Sequence, residues 1–247
     1  MEDNNTISIN LGPDPQPSGI TAFDRRVANI RKRAESDPIA ARDELWSWVN
    51  EVSSFAPYQR KEGLAELDRI FLAGQPFHEY ADGHNIIGVP NLFVHPILDR
   101  TLRAILNLWQ PWRGKHWSAA EKRGATTFTR SYAWLVRPFT PLYEYKKVGK
   151  KHIDGYFQPM NVRASVETPH MPTLVLDYPE GPSQAWVMSR VHDELTAIIP
   201  GVWLAKVFLH IGQRNVPFLY FPIKTALPGE APIVLPDEDE VYPLPST

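Results

Sequence analysis

The chain contains no cysteine. That excludes disulfides, thiolate metal sites and a cysteine nucleophile. No apolar run approaches the roughly 20 residues a membrane-spanning helix needs. The formal net charge is only −2, so there is no global attraction to nucleic acid or to an anionic membrane. The eight histidines form no H-x-x-x-H or comparable pair, so no metal site can be read from spacing. No G-x-S-x-G is present, which sets aside an ordinary α/β-hydrolase. Gly114-Lys115 lacks the earlier glycine of a phosphate loop, and His116 stands where Ser or Thr is required. Asp82-Gly83 and Gly88 are too little for a dinucleotide fingerprint. The polar, acidic start Met1-Glu-Asp-Asn-Asn-Thr-Ile7 is unlike a signal peptide. These absences lead us to expect a soluble cytoplasmic protein with no cofactor and no nucleic-acid partner.

Proline and aromatic residues are abundant. The 24 prolines are about twice the usual share and argue for many short elements. Eight tryptophans need burial, in a core or around a ligand. Residues 1–20 carry Pro13, Pro15 and Pro17 and read as a flexible arm. Residues 21–74 read as a helical region. Thr21-Ala-Phe-Asp24 has the spacing of a capping box for a helix to about Ala34. Asp37-Pro38 opens a second helix to about Val52. A third runs from about Tyr58 to Ala73 and stops at Gly74. The cations Arg25, Arg26, Arg31, Lys32 and Arg33 read as a solvated helix face, with a polyanion contact as the alternative.

Residues 75–225 read as a sheet domain with inserted helices. Pro96 to Trp109 has helical spacing. Thr127 to Arg137 alternates, which predicts a strand with Phe128, Tyr132 and Trp134 on one face. Leu142 to Val148 and His152 to Met160 predict a hairpin across Gly149, with Lys146, Lys147, Lys150 and Lys151 around its turn. Thr173 to Tyr178 predicts a strand. Ser183 to Ile199 predicts a helix, with Val187, Val191, Leu195 and Ile198 on one stripe. Val202 to Ile211 and Val216 to Lys224 predict two strands joined at Gly212. Residues 226–247 read as an extended tail with the acid run Asp237-Glu-Asp-Glu240.

In the strand from Val202, Trp203, Ala205 and Val207 share one face, and Leu204, Lys206 and Phe208 share the other. Lys206 is then either outward on the sheet or inside a cavity, where it would hold a carboxylate or act with a lowered pKa. Asp177 and Tyr220 are placed to approach it. His192, on the expected helix, is either a satisfied half-buried histidine or an acid–base group.

The strands from Thr127 to Lys224, with one helix before the last two, resemble small bacterial lipocalin-like barrel proteins, together with Asp82-Gly83 to Gly88 and Trp112-Arg-Gly-Lys115. The resemblance covers Gly74 to Ile223. The Gly-x-Trp that opens a lipocalin has no counterpart; Gly88-Val-Pro90 stands in its place. The resemblance implies a barrel whose interior holds an apolar small molecule.

The expected fold is α+β: an antiparallel β-barrel or strongly curved sheet with an N-terminal helical region. The first functional expectation is binding of a small apolar or aromatic molecule, lined by Tyr132, Trp134, Phe208 and Tyr220, with Lys206 or His116 holding a polar group. The second is a cofactor-free isomerase, cyclase or lyase using Lys206, Asp177 and His192. The third is an interaction module exposing Trp46, Trp48 and Phe55 on the helices. The oligomeric state is not legible.

Overall fold

The computed structural model describes residues 21–55, 58–77, 83–87, 92–108, 111–118, 120–136, 145–178, 188–233 and 235. The expected arm 1–20 and the acid run Asp237 to Glu240 lie outside them.

Three helices come first: α1 (Ala22–Ser36), α2 (Pro38–Phe55) and α3 (Arg60–Ala73). Their starts follow local chemistry. The Thr21 hydroxyl accepts from the Asp24 amide at 3.1 Å, and the Asp24 carboxylate accepts from the Thr21 amide at 3.1 Å. This satisfies two donors that the helix leaves unpaired. The Asp37 carboxylate accepts from the Ala40 amide at 3.0 Å ahead of Pro38. Gly74 ends α3 as expected.

The remaining elements are β1 (Gly83–His84), β2 (Ile86–Ile87), β3 (Leu92–Phe93), α4 (Pro96–Leu108), β4 (Trp112–Ser118), β5 (Arg123–Thr129), α5 (Arg130–Val136), β6 (Lys146–Val148), β7 (His152–Ala164), β8 (Pro172–Asp177), β9 (Val191–Thr196), β10 (Val202–Ile211) and β11 (Arg214–Lys224). All strand pairs are antiparallel. The sheet runs β1-β4-β5-β7-β8-β9-β10-β11-β2, with β3 beside β11 and β6 beside β7. No described helix is long and apolar enough to cross a membrane.

The sheet is strongly curved but is not closed into a barrel. Its path begins at β1 and ends at β2, and no ladder joins β4 to β11. Among the described residues, only the segment 83–87 pairs with both β4, through Gly83 and His84, and β11, through Ile86 and Ile87. The curvature is visible in aromatic contacts between distant strands. The Trp117 ring on β4 lies 5.4 Å from that of Trp203 on β10, edge to face, and Trp112 lies 4.8 Å from Phe221 on β11. Four strands separate β4 from β10 along the path. The sheet must therefore curl over on itself, as twisted sheets with bulges do. Bulges interrupt β4 and β5 at Trp112/Gly114 and Gly124/Thr126.

Two cores result. Inside the curl, Trp117, Leu176, Leu195, Trp203, Ala205, Val207, Phe221 and Ile223 are buried together. On the outer face, Leu204 and Tyr220 pack against α1–α3 through Leu45, Trp48, Leu67, Ile70 and Phe71. The period-2 alternation of β10 thus feeds both cores.

Two expected elements differ. Val191–Thr196 is a strand rather than part of a helix; Ser183 to Val187 lie outside the described residues. The stripe Val191, Leu195 fits both periods, because Asp193 between them is paired rather than solvated. The strand expected from Thr127 to Arg137 stops at Thr129, and Arg130–Val136 is helical. The Arg130 amide donates to the Lys151 carbonyl at 2.9 Å, and the Tyr132 ring folds back onto Phe128, stacked at 4.1 Å. Trp134 then points away from Tyr132. The exposed tryptophans expected on the helices are also corrected in part: Trp48 is buried against Phe23 and Trp46 is half-buried, while the Phe55 side chain lies outside the described set.

Gly114 sits at φ +148°, where a Cβ would collide with the Asn85 carbonyl oxygen. Gly114→Ala is expected to destabilise the protein by about 2 kcal/mol or more in urea unfolding. Gly212→Ala, at φ +62° with nothing near its Cβ, should cost only about 1 kcal/mol.

Candidate functional site

β9 carries a polar assembly on each of its faces. Its alternation sends Asp193 into the curl and His192 and Glu194 to the outer face.

The inner assembly centres on Lys115 of β4, which is 1% exposed. Its Nζ donates to Asp193 Oδ2 at 2.9 Å and to the Tyr178 hydroxyl at 2.8 Å. The Tyr178 hydroxyl donates onward to Asp193 Oδ2 at 3.2 Å. Asp193 is 2% exposed. Burial, then the Asp193 charge, hold the Tyr178 hydroxyl well above the ordinary tyrosine range; Thr126 acts the other way. Thr126 also accepts from Gln158 Nε2 at 3.0 Å, and Gln158 Oε1 is buried with no partner. The Tyr178 and Phe221 rings flank the Lys115 ammonium at 5.3 and 5.8 Å.

The outer assembly has two halves. Lys206, 5% exposed, is covered by α3 and the β7–β8 turn. Its Nζ donates to Asp68 at 2.8 Å and to Glu167. The Tyr220 hydroxyl donates to the same Asp68 oxygen at 2.5 Å. Burial, then Asp68 and Glu167, push the Tyr220 hydroxyl far up. Phe71, Phe208 and Tyr220 surround the ammonium at 5.4–5.9 Å. Beside it, His192 lies between two carboxylates: Nδ1 is 2.7 Å from Asp177 and Nε2 is 3.1 Å from Glu194. The neutral ring can donate to one of them and the imidazolium to both. Glu194 Oε1 also accepts from the Val166 amide at 2.7 Å, whereas its buried Oε2 has no partner. Arg163 pairs with the outer side of Asp177.

Several expected residues are thus redistributed. Asp177 and His192 do meet. Lys206 does not reach Asp177; the closest link is Glu194, its cross-strand neighbour on β9. Tyr220 does approach Lys206. Phe208 lies against Lys206 and 6.3 Å from His192 on the outer face, so it does not line the inside of the curl. His116 points away from Lys115, with Nδ1 2.6 Å from Asp154, whose other oxygen accepts from Thr127 at 2.6 Å. Tyr132 packs on Phe128, and Trp134 is 82% exposed. The four expected lining residues therefore do not converge on one cavity.

Lys115, Asp193 and Tyr178 did not stand out in the sequence. The alternation of β4 sets Lys115 beside Trp117 on one face, which is the available signal. Compared with protein-family models, curated proteins and solved structures, the chain matches none.

Two outcomes are expected. Lys115→Met removes the cation from a buried carboxylate and should cost about 3–5 kcal/mol in urea unfolding. The double variant Lys115→Met/Asp193→Leu should recover most of that loss. The second outcome concerns alkaline pH. Unfolded tyrosine ionises near pH 10, while Tyr178 and Tyr220 stay protonated to higher pH in the folded chain. Their stability is full below about pH 10. It falls above that by up to about 1.4 kcal/mol per pH unit for each, because the unfolded state loses its protons first. Tyr178→Phe and Tyr220→Phe should each flatten this fall.

Proposed function

We propose that the protein binds a small apolar or aromatic molecule carrying one polar group, inside the curl of the sheet, with Lys115, Tyr178 and Asp193 as its polar anchor. The observation that carries this reading is a polar network within an aromatic interior, Lys115, Tyr178 and Asp193, beside which Thr126, the cross-strand neighbour of Lys115, holds Gln158 with its Oε1 acceptor unmet. A buried ion pair rarely stabilises a fold more than apolar residues of the same volume would. Placing one among Trp117, Trp203 and Phe221 fits a role in recognition. An ammonium has three protons, and Asp193 and Tyr178 take two. The third suits a ligand oxygen, and Gln158 Oε1 suits a ligand hydroxyl or N–H.

A second reading has its own support. His192 held between Asp177 and Glu194 is an arrangement suited to acid–base work, as in a cofactor-free isomerase, cyclase or lyase.

Native mass spectrometry of protein purified from its source cell, followed by denaturing extraction, tests both. A stoichiometric small molecule that is lost in the folded Lys115→Met/Asp193→Leu variant is expected. A bare protein that shows no thermal shift with apolar alcohols or carboxylic acids overturns the binding reading. His192→Gln should leave the extracted molecule unchanged; a different molecule, one proton transfer or elimination earlier, selects the enzyme instead.

A further inference from the structure

We propose that α5 and the β6–β7 hairpin form a docking surface for an anionic lipid membrane. The first observation is Trp134. It is 82% exposed, the most exposed large apolar side chain among the described residues. The stacking of Tyr132 on Phe128 turns α5 so that Trp134 faces solvent. The second observation is the charge on the adjoining hairpin. Arg130, Lys146, Lys147 and Lys150 are all exposed. They belong to one piece of structure: the Arg130 guanidinium donates to the Lys150 carbonyl at 2.9 Å, and the Arg130 amide donates to the Lys151 carbonyl at 2.9 Å. The helix start is thereby fixed to the hairpin turn.

No described carboxylate neutralises this surface. Asp154, opposite Lys146 in the ladder, is buried and bonded to Thr127 and His116. Glu144, next in sequence to Tyr145, lies outside the described residues. With a formal net charge of −2 for the chain, these cations are a local feature rather than a general basicity.

The combination selects a lipid surface. An indole prefers the headgroup region, where its ring is in apolar surroundings and its N–H stays wet. Lysines on a projecting turn reach an anionic leaflet without being desolvated. A single-strand nucleic-acid site needs a basic groove with several stacking platforms; among the described residues of this surface, Trp134 is the one exposed aromatic ring. Gly149 sits at the hairpin turn, with nothing around its Cβ position. This surface does not depend on the ligand reading above. The two meet in space, since Tyr132 packs in the same cluster as Tyr178.

The test is cosedimentation of the full chain with phosphatidylcholine vesicles and with mixed phosphatidylcholine–phosphatidylserine vesicles. Binding is expected to the mixed vesicles at low salt, to weaken as salt rises, and to be absent with phosphatidylcholine alone. Lys146→Gln/Lys150→Gln should weaken it about tenfold or more, and Trp134→Ser at least about threefold. Both variants change exposed side chains, and an unchanged circular dichroism spectrum checks that they fold. No binding to the mixed vesicles overturns the proposal. So does equal binding by Trp134→Ser, or Trp134-dependent binding of a single-stranded oligonucleotide with no binding to vesicles.

Discussion

The Lys115–Asp193 pair joins strands that lie far apart along the sheet, and much of the architecture depends on its being satisfied. A lone charge in that interior would be costly to bury, so β4 and β9 must face each other at this register. The Tyr178 hydroxyl bridges the pair, accepting from the ammonium and donating to the carboxylate. Trp117 and Trp203 pack edge to face in the same core. A slip of β9 by one residue would send Asp193 to the outer face and bring His192 or Glu194 opposite Lys115, turning every side chain of the strand over. The pair therefore favours one curl of the sheet over its alternatives.

β9 is also the divide between two chemistries. On its inner side, one cation, one carboxylate and one phenol are closed off by aromatic rings. On its outer side, Lys206 and His192 share four carboxylates: Asp68 and Glu167 for the lysine, Asp177 and Glu194 for the histidine. Those groups are reached from solvent at Asp68, Glu167 and Asp177, whose side chains are each more than a third exposed. Screening makes such partly exposed pairs weaker supports of the fold than the inner pair is of the register. Their role is to let a polar strip of the sheet sit at the margin of α3 without leaving Lys206 unpaired. The Glu194 oxygen with no partner is the one position where this strip is incomplete.

The two proposed activities make different demands on this structure. Holding an apolar molecule calls for the inner aromatic walls and a few fixed polar groups. Meeting a membrane calls for exposed cations and an indole on a rigid support, which α5 and the hairpin supply by bonding to each other. Tyr132 belongs to both regions: one face of its ring rests on Phe128 inside, and its helix carries Trp134 outside.

Local chemistry was enough to read the capping box at Thr21, the Asp37-Pro38 start, the Gly74 stop, the hairpin across Gly149 and the paired last strands, because each rests on neighbours within a few residues. The alternation of β10 likewise announced that Lys206 and Trp203 face opposite ways. Other features required partners remote in sequence. Val191 to Thr196 fits helical spacing until Lys115, 78 residues earlier than Asp193, is seen to satisfy the buried carboxylate. Tyr132 and Trp134 alternate as a strand would, until Tyr132 stacks on Phe128 and the backbone turns helical. Lys206 could be read as outward or as lining a cavity, and α3 decided for neither by laying Asp68 over it. By itself the sequence determined which residues alternate and where elements start and stop. Only the tertiary structure decided which charges meet, since an ion pair across a curled sheet is set by the fold of the whole chain and leaves no short-range pattern.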